Sequence, residues 1–142
     1  MKKTQTKDTT GKIILSLVLL FLGEGLFNFG LYWPVLFSLT FISKKAYWYG
    51  FLFGVLVSVV TATPLGVMSL TIVAGLFIFE RVVERVGGSF LLVTVSAIVF
   101  NLISDKLAGA NWSIGEGLTN LVLTWLLFKM DFFNDDLHLA SR

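Results

Sequence analysis

The sequence predicts an all-α protein that crosses a membrane about six times as a compact helical bundle. Three observations carry that reading. Hydrophobic residues make up 56% of the 142 positions and charged residues only 14%, where a soluble domain carries about a quarter charged. The apolar residues come in runs separated by short polar or glycine-bearing breaks. The basic residues gather at every second break. Too little polar surface remains to coat a water-soluble globule of this size. The same composition excludes a disordered chain, a coiled coil and a nucleic-acid-binding domain, and a net charge of +2 gives no basic surface for nucleic acid.

The chain opens on twelve polar residues holding Lys2, Lys3, Lys7 and Lys12, read as a cytoplasmic segment (1–12). From residue 13 to 43 it is almost wholly apolar, with Glu24 the only charge. A helix crossing the hydrocarbon core needs about 20 residues, range roughly 17–25. This stretch is too long for one helix and somewhat short for two. Gly23, Gly25, Gly30 and Pro34 offer places to turn, so the reading is a first helix over 13–29 and a short second one over 33–42, broken or half-embedded. After Lys44 and Lys45 come 48–62, 64–79, 89–104 and 111–128. Pro64 suits a first helical turn, where its missing N–H is no loss, and Gly87 with Gly88 ends the fourth helix. The bundle therefore runs over 13–130, followed by a short acidic cytoplasmic tail over 131–142. A cleaved signal peptide is disfavoured: no small-residue cleavage site follows the first apolar run.

Counting charges decides whether the short second segment crosses. With six crossings and the N-terminus inside, Lys2, Lys3, Lys7, Lys12, Lys44, Lys45, Arg81, Arg85, Lys129 and Arg142 lie inside, against Lys106 alone outside. With five crossings the balance turns to six outside against five inside. The tendency of Lys and Arg to stay on the cytoplasmic side selects six, with both termini inside.

Polar and small residues then form stripes. The third helix carries Gly50, Gly54, Ser58 and Thr61 on one face, a groove where another helix can approach closely. Its occupant is either a neighbour within the bundle or a partner's transmembrane helix. Glu24 and Asn28 lie at i,i+4 on the first helix. The fifth carries Thr94, Asn101, Ser104 and Asp105, and the sixth carries Ser113, Glu116, Asn120 and Thr124. Glu24, Asn28, Asn101, Asp105, Glu116 and Asn120 form the expected outer polar patch. A carboxylate in hydrocarbon is costly and should face the bundle interior, a wet cavity or a partner. Glu24 stands about 18 Å along its helix from Lys12 and so lies deep; Asp105 is expected to flank the membrane in water. The Arg81–Glu84 pair at i,i+3 suggests that the fourth helix runs on past the membrane.

Enzyme chemistry finds little to work with. There is no cysteine, which removes disulfides, thiolate metal sites and cysteine nucleophiles. The single histidine, His138, lies in the tail. No zinc set, no base beside a serine, no aspartate pair within the spans and no phosphate-cradling loop can be assembled. The expectation is a non-enzyme without cofactor or resident metal.

The central stretch resembles the MreD family of bacterial rod-shape-determining membrane proteins. The match is Gly50-Phe51-Leu52-Phe53-Gly54-Val55-Leu56-Val57-Ser58, followed by Pro64-Leu65-Gly66-Val67-Met68-Ser69-Leu70, in which Pro64, Leu65 and Gly66 open the next helix. The proline-bearing second segment, Trp33-Pro34, also agrees. Many relatives carry an aspartate late in the third helix where this chain has Ser58, so a charge-based role does not carry over there. The resemblance spans roughly residues 34–81. It implies a non-catalytic scaffold of the cell-elongation machinery in the inner membrane. The implied partner is an MreC-like single-span protein, and the pair links an actin-like filament to the peptidoglycan synthase complex. The family is also similar in fold to the substrate-binding membrane subunits of energy-coupling-factor vitamin transporters. That gives an alternative function, with the outer polar patch lining a ligand pocket.

Overall fold

The computed structural model describes residues 2–27 and 32–133, and within the first helix the side chains of residues 9–22. Six helices follow one another: α1 (Lys2–Phe27), α2 (Tyr32–Ile42), α3 (Ala46–Val60), α4 (Val67–Val86), α5 (Phe90–Ala108) and α6 (Ile114–Lys129). No strand occurs among the described residues. The protein is all-α.

The centre is α2. All eleven of its residues are buried, from Tyr32 to Ile42, and it packs against each of the other five helices. A helix apolar around its whole circumference is stable only when neighbours cover every side. Here aromatic rings form much of the cover. Trp33 packs on Phe100, with ring centroids 4.9 Å apart, and Phe37 stacks on Phe79 at 4.0 Å. Phe41 meets Phe133 edge-on at 5.1 Å. Pro34 stands in the first turn, where no intrahelical partner is lost.

Contacts along these helices fix their directions. Gly50 abuts Leu76 while Gly54 abuts Ser69, so α3 and α4 are antiparallel. Asn101 bonds Glu116 and Phe90 meets Phe128, so α5 and α6 are antiparallel too. Trp33 lies beside Ser104, and Phe41 lies beside Gly88 and Phe133. The Lys12 ammonium donates to the Asp131 carbonyl at 3.1 Å. One end of the bundle therefore gathers Lys12, the 43–45 turn, the 87–89 turn and residues 130–133. The other gathers the start of α2 and the 61–66 and 109–113 turns. Lys44, Lys45, Arg81, Arg85 and Lys129 belong to the first end, and among the described residues Lys106 alone belongs to the second.

Three boundaries differ from expectation. The polar segment expected to precede the first helix is helical from Lys2. Pro64 sits in the turn before α4 rather than in its first turn, because Gly66 takes φ 97°, a left-handed conformation that delays helical geometry until Val67. Pro64, Leu65 and Gly66 thus form a connector, closed by Val67 N–H donating to the Pro64 carbonyl at 3.2 Å. Beyond α6, Asp131 turns the chain at φ 62°, and Phe132 and Phe133 fold back into the core. Residues 134–142, including His138, lie outside the described residues.

The small-residue stripe on α3 is occupied from within. A Cβ on Gly54 would come 2.4 Å from the Ser69 Cα, and one on Gly50 would come 2.7 Å from the Leu76 side chain. Ser58 is buried and its hydroxyl donates to the Gly54 carbonyl at 2.9 Å. Half-buried Thr61 donates to the Val57 carbonyl at 2.8 Å. The groove read for a partner's helix therefore holds α4, since only glycine lets the two backbones come this close.

Gly54 and Gly50 should differ in tolerance. At Gly54 the obstacle is backbone, which cannot rotate away, whereas at Gly50 it is the end of a flexible leucine. Gly54→Ala should destabilise the folded state by about 1–3 kcal/mol, as overpacking does, and Gly50→Ala by less. Unfolding of the purified protein in detergent, followed by circular dichroism, measures both.

Candidate functional site

Beside the apolar core, many polar side chains are buried while many large apolar ones are exposed. Ser38, Ser58, Ser69, Glu80, Asn101, Ser104, Glu116, Asn120 and Thr124 are buried. Leu56, Val59 and Val60 on α3, Leu70 and Phe77 on α4, Leu91 and Val95 on α5, and Leu118 and Trp125 on α6 are exposed. Leu70 is 73% exposed and Asn120 is fully enclosed. Soluble proteins rarely expose contiguous apolar patches of more than a few hundred Å².

Most buried hydroxyls are satisfied within their own helix. Ser38 donates to the Val35 carbonyl, Thr124 to the Asn120 carbonyl and Ser104 to the Phe100 carbonyl, at 2.7, 2.7 and 2.9 Å. Such back-bonding needs no tertiary partner. Tertiary bonds stand apart: the Ser69 hydroxyl donates to the Phe51 carbonyl at 3.2 Å, tying α4 to α3, and two bonds join side chains. The Trp33 indole N–H donates to the Ser104 hydroxyl at 3.1 Å, tying α2 to α5. The Tyr47 hydroxyl bonds the buried carboxylate of Glu80, tying α3 to α4. Neither is legible in sequence, because the partners lie 71 and 33 positions apart.

The richest polar cluster lies between α5 and α6, at the end away from the basic residues. Ser113 caps α6: its hydroxyl oxygen accepts from Glu116 N–H at 3.3 Å, and its hydroxyl lies 3.3 Å from Glu116 Oε1. The Ser113-x-x-Glu116 spacing is the sequence signature of such a start. It brings the Glu116 side chain back over the helix terminus, where Asn101 Nδ2 donates to Oε2 at 3.3 Å. Across the gap, Gly109 closes α5 in a left-handed conformation, with Ala110 N–H donating to the Asp105 carbonyl at 2.8 Å. Asp105 is thereby fixed in the last turn of α5 beside Glu116, whose charge acts on it directly. Asp105 is partly buried, which corrects the expectation of a carboxylate standing in water.

Of the expected outer polar patch, Asn101 and Glu116 are joined by that hydrogen bond and Asp105 lies close to Glu116, while Asn120 stands one turn beyond Glu116 on α6. They are enclosed between helices rather than lining an open surface; Asn101 and Asn120 are fully buried. Of the other two, Asn28 lies outside the described residues, as does the side chain of Glu24, which belongs to α1. Asn101 Oδ1, Asp105 Oδ2 and both polar atoms of the Asn120 amide are buried without a hydrogen-bond partner among the described residues. No group of three or more His, Cys, Asp and Glu side chains converges there to hold a metal.

Comparison with protein families, with curated proteins and with solved structures finds no match for this chain. Its own geometry carries the functional argument. Among the described residues, α5 alone is long and apolar enough, by length and composition, to cross a membrane, while residues 9–22, α2 and α3 are shorter apolar helices.

Proposed function

We propose that this chain is a multi-pass membrane protein and a non-catalytic scaffold of the bacterial cell-elongation machinery, as its MreD-like central stretch implies. The observation that supports insertion is the reversal of inside and outside. Apolar side chains cover α3, α4, α5 and α6 on their outer faces, while serines, threonines, two asparagines and two glutamates are buried beside the apolar core. In hydrocarbon, unlike in water, an apolar exterior carries no penalty and a buried polar group binds helices together.

Alternating helix directions and the gathering of Lys12, Lys44, Lys45, Arg81, Arg85 and Lys129 at one end support six crossings with that end in the cytoplasm. The described spans are short: α3 and α6, with 15 and 16 residues, rise about 22–24 Å at 1.5 Å per residue, against roughly 30 Å of hydrocarbon. Exposed Leu65, Ile114 and Met130 extend the apolar surface past the helix ends.

With the α3 stripe taken up by α4, an MreC-like single-span partner would dock on the outer apolar faces. The actin-like filament would then lie on the side of the basic end, and the peptidoglycan synthase on the side of the α5–α6 turn.

The protein has no cysteine, so single introduced thiols can be labelled without background. Ala110→Cys should react with a membrane-impermeant maleimide on intact cells, and Lys44→Cys only after permeabilisation; the reverse pattern would overturn the orientation. Affinity purification from native membranes tests the function itself. A single-span protein with a large extracytoplasmic domain should co-purify, whereas a tightly held vitamin-like molecule without that protein would instead support a transporter subunit.

A further inference from the structure

We propose that the edge formed by the 43–45 turn and the last turns of α4 binds the headgroup of an anionic phospholipid. Lys44, Lys45, Arg81 and Arg85 hold the phosphate, and the acyl chains lie along the exposed faces of α3 and α4. This site rests on the reading of the chain as a membrane protein and adds a ligand to one place on its surface. Register brings the four residues together. Antiparallel α3 and α4 set Gly54 at Ser69, Gly50 at Leu76 and Tyr47 at Glu80, so each step towards the start of α3 is a step towards the end of α4. Carried on by one turn, the same register puts Lys44 and Lys45 at the level of residues 81–85. All four basic residues are exposed there.

The charges at this edge are out of balance. Of the two carboxylates on this part of α4, Glu80 is buried and bonded to Tyr47, and Glu84 pairs with Arg81 at 3.1 Å. Among the described residues, Lys44, Lys45 and Arg85 form no ion pair. Three uncompensated cations at one edge raise a positive potential that draws an anion. The phosphate of a lipid headgroup supplies that charge at the membrane surface, and a guanidinium presents paired N–H donors to its oxygens.

What lies beside the cations selects a lipid over a soluble anion. Arg81 stands over the ring of Phe77, 5.3 Å from its centroid, and Phe77 is exposed. Trp48 stacks on Phe51 in the first two turns of α3, and both rings are exposed. Leu52, Leu56 and Val59 continue that apolar face away from the basic end. Tryptophan favours the depth of the headgroups, and an arginine extended over an aromatic ring carries its charge to the water side of it. The surface thus offers cations first and an apolar track behind them, the order of groups in a phospholipid.

Electron paramagnetic resonance of spin-labelled phospholipids tests this on the full chain reconstituted in phosphatidylcholine bilayers. Labelled phosphatidylcholine should show a motionally restricted component, from lipid held against the bundle. Labelled phosphatidylglycerol should show a larger one, equivalent to roughly fivefold stronger association, and high salt should reduce it. The double variant Lys44→Gln, Lys45→Gln and the single variant Arg85→Gln alter only exposed side chains. Each should lower the preference at least about twofold, whereas Lys106→Gln, at the opposite end, should leave it unchanged. Equal association of the two lipids with the wild-type protein, or an undiminished preference in both variants, overturns the proposal. So does displacement of phosphatidylglycerol by millimolar glycerol phosphate, which would make the ligand a soluble anion. Absence of restricted lipid of either kind would instead contradict membrane insertion, on which the site depends.

Discussion

A helix eleven residues long, apolar on every side and touching no solvent, sets the terms for the rest of this protein. Burying α2 requires neighbours around its full circumference, and a chain of this size has just enough helices to supply them. Trp33, Phe37 and Phe41 on α2 meet Phe79, Phe100 and Phe133 from three other elements. Even the two phenylalanines beyond α6 are drawn inwards to finish the cover. Close approach of α3 to α4 through Gly54 belongs to the same enclosure, since both helices also border α2.

The surroundings of α2 account for where polarity resides. Because α2 is almost wholly apolar, with only Ser38 and Thr40 as hydroxyls that bond within the helix, most other buried polar side chains lie at the seams between helices. Serines and threonines enter cheaply, by bonding to carbonyls of their own turn. Asparagines and carboxylates cannot do so, and they collect at the α5–α6 seam and at Tyr47–Glu80. The outer faces are left with leucine, valine and phenylalanine. That distribution would be unstable in water and is favourable in a bilayer, where the backbone groups are already satisfied by helical bonds.

Much of this architecture was legible in the sequence, and the failures are instructive. The six apolar runs, and the short second one, could be read because hydropathy acts locally. Charges at distant turns gave the expected direction of residues 33–42, and the bundle sets Lys44 and Lys45 at the same end as Lys12. The start of α4 was misread because proline signals a first turn only if the residues after it remain helical, and the left-handed Gly66 prevents that. The Gly50, Gly54, Ser58 stripe was ambiguous for a deeper reason: close packing imposes the same residues whether the second helix belongs to the chain or to a partner. Asp105 was misplaced because its burial depends on α6, which no pattern within α5 reveals. Asn101, Asp105 and Glu116 do meet at the α5–α6 seam. Nothing within α6 foretold that the Asn120 amide would lack a partner among the described residues.

The account stands or falls on whether the exposed apolar faces meet lipid. Spin labels on cysteines placed along α5 of the bilayer-reconstituted protein measure this, through collision with oxygen, which concentrates in hydrocarbon, and with a nickel chelate, which stays in water. Labels at Leu91, Val95 and Val99 should show high oxygen and low nickel accessibility, and labels at Val93 and Ala97 should show little of either. High nickel accessibility at Val95 and Val99 would place that face in water and contradict the account.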